Sequence, residues 1–206
     1  MGNQFDYNQT TEKYHIMKKN YIKLSRKTRY TRMVLLESLI ELMNDKPIYK
    51  ITIMDICRLA DVSRSTFYAH YNDQYDLLNQ IQEEVYTFFR ELVEKYYDME
   101  HNDFFAKLTE EYLHYIANNK KIMKVLLSDN GDINFRRKLH SISRPKNTWS
   151  HIIQKSKDEA KAQEYAETFY RAGSLSLVKL WLKNDLDMPV SDLTKLIVKL
   201  TGSIMK

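Results

Sequence analysis

The chain has 206 residues, 43% of them hydrophobic and 29% charged, the balance of a folded globular protein rather than a disordered one. Four glycines and three prolines are too few for the tight turns of a sheet-rich fold, so long helices joined by few loops are expected. The lone Cys57 excludes an internal disulfide and paired-cysteine metal motifs, which fits a reducing cytoplasm, and the net charge is +5.

Residues 1–23 read as a polar, basic arm. Met1 to Met17 lacks the apolar stretch of a signal peptide, no uncharged apolar run approaches ~18 residues, and Asp6 stands where a myristoylation signal needs Ser or Thr. A cytoplasmic protein without a membrane partner is expected. From Lys18 to Arg32 seven residues are basic and none is acidic. Residues 1–72 hold 12 basic and 7 acidic side chains, whereas the remainder balances at 20 each. Such an excess suits phosphates, though a solvated arm has the same look.

Leu36, Leu39, Ile40 and Met43 then recur at helical spacing until Asn44-Asp45-Lys46-Pro47, where proline bars continuation. Ile48 to Ile53 is rich in β-branched residues, but Thr52 followed by Asp55 has the form of a capping box that starts a helix instead. Ile53, Ile56, Cys57 and Ala60 form its inner stripe. Asp61-Val62-Ser63 breaks it, with Asp61 tolerant of left-handed backbone and Ser63 a good cap for a helix over Arg64–Tyr71. Asp73 caps a long helix with Leu77, Leu78, Ile81, Val85, Phe88, Phe89, Leu92 and Tyr96 on one side. Further helices are expected over 103–118 and 120–127, from Asn134 with a bend at Pro145 and resumption near Trp149, and over 160–184 with Phe169, Ala172, Leu177, Leu180 and Trp181 inward. After a break at Asp187-Met188-Pro189, Ser191 is expected to cap a last helix bearing Leu193, Leu196, Ile197, Leu200 and Ile204.

Two short capped helices joined by a tight turn, beside a basic arm, make a helix-turn-helix whose second helix enters the major groove. The stretch Ile51–Tyr71, followed by Asp76-Leu77-Leu78, closely resembles the DNA-binding domain of the TetR family of bacterial regulators. The likeness covers about residues 26–80. Beyond them it lies mainly in helix pattern, although Phe169-Tyr170-Arg171-Ala172-Gly173 with Trp181-Leu182 looks like the C-terminal domain of one Firmicute-type branch.

The resemblance implies an all-α protein: an arm (1–23), a three-helix DNA-binding domain (24–72) and a helical ligand-binding and dimerisation domain (73–206). It implies roles for residues too. Thr52 would meet a phosphate through its hydroxyl and the helix N-terminus. Ser63, Arg64, Ser65 and Thr66 would face base edges and nearby phosphates, Tyr68 and His70 phosphates, and Lys27 the backbone through charge. Three positions depart from the family: Asp61 and Ser65 stand where glycine is common, and Gln74 replaces a frequent phosphate-binding lysine.

A homodimer is expected from helices 160–184 and 191–206 through Leu177, Leu180, Trp181, Leu193, Ile197 and Leu200. Phe104, Tyr112, Tyr115, Met123, Phe135, Trp149 and Tyr170 are candidates to line an effector pocket, although aromatic stripes more often form core. The effector would be a mainly apolar small molecule, because the C-terminal region shows no ready basic cluster, or else a partner protein. The function expected is sequence-specific transcriptional regulation, as a repressor released by an effector, with a co-activator controlled by a partner protein as the alternative. Palindromic duplex DNA is the expected partner. Rivals are a helical-bundle metal enzyme and an adaptor whose arm touches lipids or acidic proteins. Glu111-Tyr112-Leu113-His114 matches half of a di-iron site, which needs a second such unit and two further carboxylates on facing helices. No phosphate loop, nucleophile–base pair or cofactor motif is present, so neither catalysis, a metal nor a cofactor is expected.

Overall fold

The computed structural model describes residues 25–96, 101–140, 142 and 158–204. The N-terminal arm, the bend expected at Pro145 and Trp149 lie outside them. Among the described residues every regular element is helical: α1 (Arg26–Asp45), a single 3-10 turn (Ile48–Lys50), α2 (Ile53–Ala60), α3 (Arg64–Tyr68), α4 (Gln74–Lys95), α5 (His101–Asn118), α6 (Lys120–Leu126), α7 (Ile133–His140), α8 (Glu159–Lys183) and α9 (Val190–Ile204). No helix of the described residues is long and apolar enough to cross a membrane. This is the helix-turn-helix with helical domain that the sequence leads one to expect.

Two compact units divide the chain: Met1–Phe88 with Asn118–Arg137, and Phe89–Ala117 with Lys138–Lys206. In the first, Ser25 starts α1 by accepting the Thr28 N–H at 3.2 Å. Leu35, Leu39 and Met43 are fully buried, each worth ~1.5–3 kcal/mol of apolar transfer. Helix α1 packs against both α2 and α6. Proline 47 and the 3-10 turn then redirect the chain, and Ile51 is buried just before α2. The α6–α7 turn is fastened to the end of α1, since the Asn130 side-chain amide donates to the carbonyls of Met43 (3.4 Å) and Asn44 (3.5 Å). Arg136 of α7 donates in turn to the Ser128 carbonyl.

The second unit is built from the end of α4 with α5, α8 and α9. Phe89 lies edge-on to Tyr112 and Tyr115 at centroid distances of 4.6 and 5.2 Å, and Phe105 to Tyr170 at 5.8 Å. Between α8 and α9 the chain reverses through Asp185 and Leu186, both left-handed with φ 65°. The Trp181 indole N–H closes the loop on the Met188 carbonyl at 2.8 Å.

Three expectations need correction. Helix α3 ends at Tyr68 rather than Tyr71, because the His70 and Tyr71 N–H groups both turn onto the Phe67 carbonyl. Ser191 lies inside α9, and it is the Pro189 carbonyl that accepts the first N–H groups, from Asp192 and Leu193. On α8, Phe169, Ala172 and Leu180 point outward; the buried face is Tyr170, Val178, Trp181 and Leu182.

Candidate nucleic-acid interface

Helices α2 and α3 are held by their own first residues. Thr52 Oγ1 accepts the Asp55 N–H while Asp55 Oδ2 accepts the Thr52 N–H, each at 3.1 Å, the reciprocal box that the sequence spells out. Asp55 also binds Lys46 at 3.2 Å and Arg58 at 3.1 Å. The Thr52 N–H first, then its hydroxyl and Lys46, hold the Asp55 carboxyl down at about 2. The Thr52 N–H is thus already donated to Asp55. Asp61 ends α2 in the left-handed region, φ 51°, where the family's glycine would stand.

Ser63 caps α3 by accepting the Thr66 N–H at 3.1 Å, and its hydroxyl lies 2.8 Å from those of both Ser65 and Thr66. These three hydroxyls orient one another, while Arg64 is exposed beside them. Phe67 is wholly buried and anchors the helix. Tyr68 is half in solvent, its ring edge-on to Phe67 at 5.8 Å. His70 is half-buried, and burial first, then the Arg32 charge, pushes its pKa below the usual histidine value. Arg32 sits 5.8 Å over the Tyr71 ring, which ties α1 to the end of the motif. Lys27 is exposed on the first turn of α1, and Gln74 opens α4 half-buried.

The structure thus gathers Thr52, Ser63, Arg64, Ser65, Thr66 and Tyr68 on the caps and turns of two adjoining short helices, with His70 just past the end of α3. Cys57 is buried, its thiol aimed at the Ser63 carbonyl at 3.9 Å and its pKa raised by burial, the behaviour of a core residue. The other candidates scatter. Phe104, Tyr112, Tyr115 and Tyr170 belong to the second unit, whereas Met123 and Phe135 are core of the first. In the expected dimer set Leu180 and Leu200 are exposed and Leu177 is half-buried. Trp181, Leu193 and Ile197 are instead sealed inside the protomer at 3–4% exposure, unavailable to a partner. Glu111 of the E-x-x-H unit accepts from the Tyr96 hydroxyl at 2.9 Å and Lys95 at 3.4 Å, and among the described residues no group of three potential ligands is placed to hold a metal.

The even charge of residues 73–206 conceals a division. Residues 118–157 carry ten basic and two acidic side chains, offset by three against eleven in 73–117. The premise for a mainly apolar effector, that the C-terminal region shows no ready basic cluster, does not hold for residues 118–157.

Residues 103–203 match the TetR-type family model described as a transcriptional regulator C-terminal region. The fold matches a TetR transcriptional regulator from Streptococcus agalactiae at 24% identity, with 85% of this chain and 96% of that one covered and a TM-score of 0.56. It matches the fatty acid degradation regulator FadR from Bacillus halodurans at 14% identity, 83% and 94% coverage and TM-score 0.58. FadR from Bacillus subtilis, solved in complex with stearoyl-CoA, matches at 16% identity, 84% and 99% coverage and TM-score 0.57. No curated protein matches the chain.

Proposed function

The chain belongs to the TetR family of transcriptional regulators, and from that premise we propose that it is a cytoplasmic homodimeric repressor released from a palindromic operator by a small effector. The observation that carries the DNA reading is the α2–turn–α3 unit, with both caps formed and with Arg64, Ser65 and Tyr68 outward around the buried Phe67. Arg64 reads a base edge; Tyr68, His70, Thr52 and Lys27 hold phosphates. Residues 24–72 form the DNA-binding domain and 73–206 the regulatory one.

Dimerisation proceeds through the outward stripe of α8: Tyr165, Phe169, Ala172, Gly173, Ser176 and Leu180, all exposed, with Leu200 on α9. At Gly173 even an added Cβ would meet nothing within 4 Å, so a partner helix has room to approach closely. The effector has an apolar body suited to the aromatic second unit around Phe89, Tyr112 and Tyr115. FadR from Bacillus subtilis, of the same fold, was solved with stearoyl-CoA. Its differential affinity for two separations of the recognition helices is all that release requires.

Selection of bound sequences from random duplex DNA tests the reading. A palindromic consensus with half-sites one helical turn or a multiple apart is expected. Recovery of unselected sequence from a protein that retains its fold would overturn it.

A further inference from the structure

The compact unit that holds the helix-turn-helix carries a second concentration of positive charge outside it. Residues 26–68, which contain α1 to α3, carry eight basic and five acidic side chains, and four further acids at 73–84 offset that excess along the start of α4. Residues 118–137 of the same compact unit add five basic side chains against two acidic. Lys121 and Lys124 lie three residues apart on the exposed side of α6, while Ile122, Met123, Val125 and Leu126 turn inward. Arg137 is exposed on α7. None of the three forms an ion pair among the described residues.

This segment is bolted to the DNA-binding helices. α6 packs on α1, Asn130 is hydrogen-bonded to the last carbonyls of α1, and Arg136 ties α7 to the turn. Charge fixed to one body acts with that body: a basic surface raises encounter rates with a polyanion, and each lysine or arginine reaching a phosphate releases counterions. An acidic protein partner would account for the charge too. It would not account for the placement of that charge in the same compact unit as the helix-turn-helix.

We propose that the exposed face of α6 and α7, carried by Lys121, Lys124 and Arg137, is a second surface for duplex DNA, which draws the regulator onto the phosphate backbone without reading bases. This rests on the DNA-binding reading above and adds an element outside the helix-turn-helix to it.

The test compares the full chain with the triple variant Lys121→Gln, Lys124→Gln, Arg137→Gln on the selected operator and on random duplex, across a salt series. A second variant, Lys107→Gln, Lys161→Gln, Lys195→Gln, removes the same net charge from exposed positions of the other unit. The first variant should lose about tenfold or more in affinity for both duplexes alike near physiological salt. Its log-affinity versus log-salt slope should become shallower by up to ~0.9 for each side chain that reaches a phosphate. The second should change little. Equal losses in both variants, or an unchanged slope and affinity in the first, overturn the proposal. So does a first variant that binds DNA normally but no longer answers an anionic effector or acidic protein, which would assign the face to that ligand. If the unaltered protein retards no duplex at all, it is the regulator reading that has failed, a result distinct from all of these.

Discussion

Arg64 and Tyr68 are four residues apart on α3, yet their surroundings suit them to different tasks. Arg64 is free in the first turn, where a side chain reaches base edges, and a bidentate contact to guanine is worth ~1–3 kcal/mol of discrimination. Arg64→Ala should therefore relax preference at one base pair in each half-site. Tyr68→Phe should instead weaken operator and random duplex by similar factors, because a phosphate contact carries no sequence. Competition binding against single-base operator variants checks both, and an Arg64 variant with undiminished preference would reverse the assignment. A second residue works on stability. Burial drives the Glu84 carboxyl up to about 7, against the pull of Arg32 and of the Gln80 side chain. The folded state thus binds more protons than the unfolded one between pH ~4.5 and ~7, so this group costs stability as pH rises through that window. Glu84→Gln should flatten the fall in stability between pH 5 and pH 8, by an amount on the order of 1–3 kcal/mol. Urea unfolding at the two pH values measures it, and an unchanged pH profile would show that another group is responsible. The caps of α2, α3 and α4 could be read from sequence because each closes within three residues. The Lys46–Asp55–Arg58 cluster and the desolvation of His70 could not, since they depend on where α1 comes to lie.

Gly131 shows how an element end becomes indispensable without any special dihedral. Its φ is not in the left-handed region, but a Cβ there would stand 2.3 Å from the Leu126 carbonyl oxygen and 2.9 Å from that of Val125. Those are backbone atoms of α6, so the helix end or the turn must shift, at a typical cost of ~1–3 kcal/mol. Gly131→Ala should lower the melting temperature by several degrees, and it should do so alongside weaker DNA binding, because this turn is fastened to α1 through Asn130. A variant as stable as the parent would mean that the turn has slack the geometry denies. Ser128, Asp129, Asn130 and Gly131 are turn formers by type, but the reason for the glycine lies in the close approach. Helix α8 failed differently. Apolar residues surround it on several sides, with Tyr165, Phe169 and Leu180 on one and Tyr170, Val178, Trp181 and Leu182 on another. Periodicity locates such a helix well but cannot tell which face meets its own protomer. For the last helix, the preference of Ser191 for caps lost to Pro189, whose carbonyl is already placed by the loop that Trp181 closes.

At the scale of the whole molecule, charge and apolar surface point to separate jobs for separate regions. A sum over residues 73–206 hid the acidic and basic stretches within it, and the packing of α6 on α1 puts residues 118–137 of the basic stretch in one compact unit with the helix-turn-helix. The apolar stripe on α8 is a different case, since solvent exposure of Tyr165 at 75%, Phe169 at 66% and Leu180 at 53% is costly unless a partner covers them. A second copy of the chain is the partner that a two-fold operator calls for. Phe169→Glu with Leu180→Glu should therefore sediment as a folded monomer. Losing the linkage between half-sites should reduce operator affinity by about 10²–10⁴-fold, while affinity per protomer for random duplex stays near that of the parent. Ile197→Arg provides the contrast. Its side chain is 4% exposed within one protomer, so the charge is buried whether or not a partner binds, and unfolding rather than dissociation is expected. A double glutamate variant that remains dimeric would place the interface on another face. An Ile197→Arg protein that is folded and monomeric would return Ile197 to the interface, against its burial in the protomer.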